Sequence, residues 1–135
     1  VHALLQHLPD RPPAEREAAG RRFLARPGHG LAPEEQAEVL AEVLAVLAHP
    51  EVAAAFGPDS LAEAPIAGRV GGQLIAGQVD RLVVGAARVL VLDYKTNRPP
   101  PRSLDAVPPL YLRQMAAYRA VLRADHTICI FSRET

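Results

Sequence analysis

The sequence contains a single cysteine, Cys129, which excludes an internal disulfide and any four-cysteine metal or iron–sulfur site within this chain. So little thiol fits a reducing compartment, and the cytoplasm is the expected location. No apolar run approaches the roughly 20 residues of a membrane span, so no membrane partner is expected. No signal-peptide layout is present either, because His2 stands where a charged n-region would be. There is no initiator methionine, and Val1 stands in a helix-like stretch, which reads as a piece cut from a larger protein. An excess of one charge is also missing. Fifteen basic and 15 acidic residues give a formal net charge of +0, which argues against a chain-wide clamp on a polyanion. Lysine is almost absent: of the 15 basic residues 14 are arginine, and Lys95 is the only lysine.

What is present fits one globular domain of 135 residues, 49% hydrophobic and 22% charged. Its charge is unevenly spread. Residues 1–67 hold ten acids against five arginines, and residues 68–135 hold ten basic residues against five acids. The first 57 residues read as helical: "VHALLQHLP", "PAEREAAGRRFLAR", "PEEQAEVLAEVLAVLAHP" and a short "PEVAAAF". Val39, Leu40, Val43, Leu44 and Leu47 form an apolar stripe closed by Pro50. From residue 58 the pattern becomes strand-like, with "SLAEAPIAGRV", "GQLIAGQVDRLVV" and "ARVLVLDYK" separated by "GG" and "GAA" turns. A proline-rich connection leads to a helix, "LYLRQMAAYRAVLRA", and a last strand, "HTICIF". The fold class is therefore α/β, with a helical part at 1–57 and a meander–helix–strand part at 58–135. The strand–helix–strand return sets the last strand parallel to one already in the sheet.

Chemistry concentrates in "VLVLDYKT". Side chains alternate along a strand, so Asp93 and Lys95 share a face with Val89 and Val91, and project together from the end of a buried strand. An ion pair at a sheet edge would look the same. Counting from the turn at Ala86 sets Asp80, the acid of "QVDRLVV", nearly opposite Asp93. Two carboxylates that close need a shared proton or a cation, and Mg²⁺ takes one or two carboxylates with waters and substrate phosphates. Glu63 is either a further acid at this site or a solvent-facing residue. A compact ammonium at Lys95 differs in kind from the guanidinium used everywhere else in the chain, and beside a cation it can stabilise charge on a phosphoryl group.

The motifs "GQVDRL", "VLDYKT" and "RQMAAY", in that order after "VHALLQHLP", closely resemble the RecB-type nucleases of the PD-(D/E)xK superfamily. With "DYKTNRPPP" they are most similar to the C-terminal nuclease domain of AddA-type subunits of bacterial helicase–nucleases. The resemblance covers about residues 1–124. It implies a restriction-endonuclease-like core, a central mixed β-sheet flanked by helices. It also implies an Mg²⁺-dependent deoxyribonuclease, with Mn²⁺ as substitute, acting as the exonuclease of an ATP-dependent machine that processes double-strand breaks. DNA and an AddB-type subunit are the implied partners. His2, Asp80, Asp93 and the backbone carbonyl of Tyr94 are the implied metal ligands, and Lys95 is the implied catalytic lysine. Gln114 and Tyr118 match a Q-x-x-x-Y element on one helix face, where they support the site or touch DNA. An ordinary half-buried helix face is the other reading of that pair.

The prolines beside Lys95 read as a stiff wall along the path of a DNA strand, with Arg98 and Arg102 meeting phosphates. They also read as a polyproline segment for a protein partner. A catalytically silent relative that guides DNA or bridges subunits is the alternative function. It predicts loss of an acid or of the lysine, and Asp80, Asp93 and Lys95 are all present.

Overall fold

The computed structural model describes residues 1–50, 52–85, 89–95 and 101–123, and the backbone of 126–131. Ala86 and Ala87 of the "GAA" turn and the prolines at 99 and 100 therefore lie outside the described residues. Contacts divide the chain into two compact units, Val1–Gly57 and the chain from Pro58 onward.

The first unit is helical: α1 (His2–His7), α2 (Pro13–Leu24) and α3 (Pro33–Ala48), with short 3-10 turns at Leu8–Asp10, Pro27–His29 and Ala53–Phe56. Proline opens α2 and α3 at a first-turn position, where a missing N–H costs nothing and φ is already helical. Glu34 and Glu35 sit in the first turn of α3, and the Glu35 carboxylate accepts the Ala32 N–H at 2.8 Å, half of a capping box. The expected stripe on α3 is present. Leu40, Val43 and Leu47 are buried, with Val39 and Leu44 half-buried beside them. At Gly20 of α2 the packing against α3 is tight, since a Cβ there would stand 2.5 Å from Leu40 Cδ1.

The second unit is a four-stranded sheet of order β1–β2–β3–β4, made of β1 (Ser60–Val70), β2 (Gln73–Val84), β3 (Val89–Lys95) and β4 (His126–Phe131), with α4 (Pro109–Leu122) before β4. The first three strands run antiparallel and β4 is parallel to β3, the arrangement expected from the strand–helix–strand return. The sheet is therefore mixed, and β3 lies between two neighbours. That position explains its near-continuous apolar run, because a strand covered on both faces has no reason to alternate. Gly71 and Gly72 turn β1 into β2 with φ of 55° and 79°, the left-handed pair of a tight hairpin. Helix α4 packs on one face against Ala64, Ile66, Val79, Leu82 and Val91, inserting Met115 and Tyr118. Two glycines admit it: a Cβ on Gly68 would meet Val121 Cγ1 at 2.8 Å, and one on Gly77 would meet the Tyr118 hydroxyl at 2.9 Å. Among the described residues no helix is long and apolar enough to cross a membrane.

Candidate active site

The β2–β3 ladder runs from Val84↔Val89 to Arg81↔Leu92, so Asp80 and Asp93 come next along it. There the backbone pairing gives way to a side chain. The Asp80 carboxylate accepts the Tyr94 N–H at 2.6 Å, a charge-assisted bond that holds the end of β3 through the acid itself. On its other side the β1–β2 ladder passes from Ala62↔Arg81 to Ala64↔Val79 and skips Glu63 and Asp80. Glu63 has φ of 51°, a left-handed conformation uncommon for glutamate, while its carbonyl accepts from Gln78 Nε2 at 2.9 Å. Asp80 thus stands where both of its ladders are interrupted, with its side chain turned to the tip of β3.

Lys95 is gripped from three directions. Its ammonium is ion-paired with the Asp93 carboxylate, donates to Gln114 Oε1 at 2.7 Å, and lies 4.4 Å from the centre of the Tyr111 ring. Only about a tenth of each side chain in the Asp93–Lys95 pair is exposed (9% and 11%), so the pair is shielded from solvent screening. Lysine has only donors, so the oxygen of the Gln114 amide faces it, and the amide nitrogen donates to the Tyr118 hydroxyl at 3.0 Å. Residues 111, 114 and 118 lie on one face of α4 by their spacing of three and four. A relay of side chains therefore connects Tyr118, seated on Gly77 of β2, to Asp93 on β3.

The opposite face of β3 carries Leu90, Leu92 and Tyr94, all buried. Arg81 is buried there as well, at 3% exposure, and donates to Ser60 Oγ at 2.8 Å. Burial is the main cause that pushes the Tyr94 phenol well above its usual range, and Asp80 and Glu63 add to it against the lowering effect of Arg81. Those same influences locate Glu63 and Asp80 near Tyr94. Two residues of this site, Tyr111 and Arg81, were not among the sequence candidates. Tyr111 was discoverable, because it stands three residues before Gln114 on the same helix face. Arg81 carried a weaker sign, a lone cation in the apolar run "VDRLVV".

The remaining candidates belong to other elements. His2 is the first residue of α1 in the helical unit, and is exposed. Arg102 is described and exposed, whereas Arg98 lies outside the described residues. Among the described residues no three His, Cys, Asp or Glu side chains gather where they could hold a metal ion. The donors at the end of β3 are nonetheless of the right chemistry for a hard divalent cation. Two aspartates stand at adjoining ladder positions, and such an ion needs only one or two carboxylates when waters and substrate phosphate complete its shell.

Among solved structures, one titled "Crystal structure of SSO0001" is similar to the chain, with 19% identity and a TM-score of 0.44 over 98% of this chain and 60% of that one. The chain thus spans about 60% of that structure's length. No curated protein matches the chain. The family profile described as "PD-(D/E)XK nuclease superfamily" matches residues 1–128, which include the first unit, the second as far as the start of β4, and every residue of the relay at the end of β3. Members of that superfamily are generally nucleases and usually use divalent metals, and to that superfamily this chain belongs.

Proposed function

We propose that the chain is an Mg²⁺-dependent deoxyribonuclease domain that hydrolyses phosphodiester bonds at the end of β3, as the exonuclease of an AddA-type helicase–nuclease acting on broken DNA ends. The observation that carries the proposal is the Asp80–Tyr94–Asp93–Lys95 arrangement, in which one acid fixes the strand tip and the tip presents a second acid and the sole lysine. Asp80 and Asp93 would hold the cation, with the Tyr94 carbonyl and His2 as further ligands. A bound Mg²⁺ contributes Lewis-acid polarisation of a phosphoryl oxygen and a lowered pKa for its water. Lys95 would orient the attacking water or meet negative charge growing on the phosphoryl group, held for that task by Gln114. The rigid β3 fixes these groups before DNA arrives, which is the main requirement for phosphoryl transfer. Arg98 and Arg102 would take backbone phosphates, as salt-dependent contacts without sequence preference.

A near-neutral domain suits a nuclease to which a motor delivers its strand, because it need not capture DNA by charge alone. The reading therefore places the domain in the cytoplasm, in a longer polypeptide with an AddB-type partner. A cleavage assay on linear double- and single-stranded DNA tests it. With Mg²⁺ or Mn²⁺ the chain should release nucleotides from ends, and Lys95→Ala should lower the rate by on the order of 10²–10³-fold, as loss of a charge-stabilising donor does elsewhere. Cleavage that survives Lys95→Ala, or that proceeds equally in EDTA, would refute it.

A further inference from the structure

We propose that Tyr111 is a positioning residue for Lys95, its ring face holding the ammonium in place when Asp93 is engaged by a cation. The proposal rests on the nuclease reading only for its consequence on cleavage. The contact itself is independent of that reading.

Lys95 has three holds: the Asp93 carboxylate, Gln114 Oε1 at 2.7 Å, and the Tyr111 ring centre at 4.4 Å. They are not equivalent. A cation bound by Asp93 takes the negative charge that now balances the ammonium, and adds a positive charge beside it. Of the two remaining holds, Gln114 supplies one neutral acceptor, whose own place depends on Tyr118 and so on Gly77. The Tyr111 ring supplies the only other attraction described for that ammonium, and it acts on a cation through its face. The ring comes from the first turn of α4, after Pro109 has set the start of that helix. Lys95 therefore keeps its position by ring and amide together, and stays directed at the reacting phosphate instead of retreating from the metal.

Because Lys95 is the only lysine, ¹³C-lysine labelling of the full chain gives one side-chain Hε–Cε signal without assignment. Protons over an aromatic face are shifted upfield. The wild-type signal should therefore lie upfield of a solvent-exposed lysine and show a nuclear Overhauser effect to tyrosine ring protons. Tyr111→Phe keeps the face and should leave the signal upfield. Tyr111→Leu should return it towards the free-lysine position. In the cleavage assay Tyr111→Leu should lower kcat roughly 3- to 30-fold with KM and Mn²⁺ affinity little changed, and Tyr111→Phe should restore kcat. An unshifted wild-type signal without the Overhauser effect overturns the proposal, and that measurement does not depend on any variant folding. Equal losses of kcat in the Phe and Leu variants overturn it too, because the hydroxyl and not the ring would then matter. A wild type that cleaves no DNA would count against the nuclease reading, while the lysine signal would still decide the contact.

Discussion

In the helical unit the buried side chains are apolar, from Leu4, Leu5 and Leu8 on and after α1 to Leu40, Val43 and Leu47 of α3, whereas the sheet unit buries Arg81 and Asp93 among its valines and leucines. Both units meet an entropy cost of folding, and the sheet unit adds the cost of taking two whole charged side chains out of water. Apolar packing would have stabilised β2 and β3 at least as well, since buried ion pairs often contribute no net stability relative to hydrophobic replacements. The difference teaches where shape alone is needed and where a charge must be held at a fixed point. In the sheet unit both buried charges have a named counterpart: Ser60 for Arg81 and Lys95 for Asp93.

The largest effect on stability expected of a single change is that of Leu40→Ala. It should lower stability by about 2–5 kcal/mol in urea unfolding, the usual range for truncating a buried leucine, while leaving cleavage per folded molecule unchanged. A selective loss of cleavage would mean that the Leu40 side chain does more than pack. Gly77→Ala is the counterpart in the sheet unit. Its Cβ would meet Tyr118 at 2.9 Å from the hydroxyl and 3.2 Å from Cε1, so it should cost about 1–3 kcal/mol as overpacking does. Because Tyr118 holds Gln114 and Gln114 holds Lys95, cleavage should fall more than stability explains.

A smaller effect concerns pH. The folded state holds the Tyr94 phenol protonated above its ordinary value near 10, so the unfolded chain releases that proton first as pH rises. The associated stability is fully present below about pH 10 and is lost as pH climbs through the window up to the folded value, at no more than about 1.4 kcal/mol per pH unit. Urea titrations at rising alkaline pH should show a steeper decline for the wild type than for Tyr94→Phe. Equal slopes would show that burial does not control this phenol. The smallest change is Glu63→Gly, which relieves a φ of 51° and should be neutral or stabilising by about 1 kcal/mol at most.

Much of this architecture was legible in the sequence because it rests on periodicity and punctuation. The α3 stripe, the Gly71–Gly72 turn and the apolar run of β3 are local patterns, and the parallel placement of β4 follows from a rule of chain connection. Counting residues about the turn set Asp80 opposite Asp93, and the register leads to the same neighbouring positions. The bonds those acids make were not legible. An isolated carboxylate pair was expected to need a proton or a cation, yet Asp80 is engaged by the Tyr94 N–H and Asp93 by Lys95. Arginine is seldom buried, so a lone cation in "VDRLVV" was too weak a sign to set Arg81 apart from a solvent-facing residue. The left-handed turn at Glu63 carries no glycine or asparagine to signal it. Tyr111 over Lys95 joins a helix to a strand 16 positions away, a contact that depends on how α4 seats over Gly68 and Gly77.

The central claim is that the end of β3 is built to hold a divalent cation through Asp80 and Asp93. Calorimetric titration with Mn²⁺ of the wild type and of Asp80→Asn tests it most directly, since the amide oxygen of Asn can still accept the Tyr94 N–H and the fold is spared. Saturable binding by the wild type that is lost or greatly weakened in Asp80→Asn is the predicted result. Equal binding by both proteins, or none by a folded wild type, would contradict it.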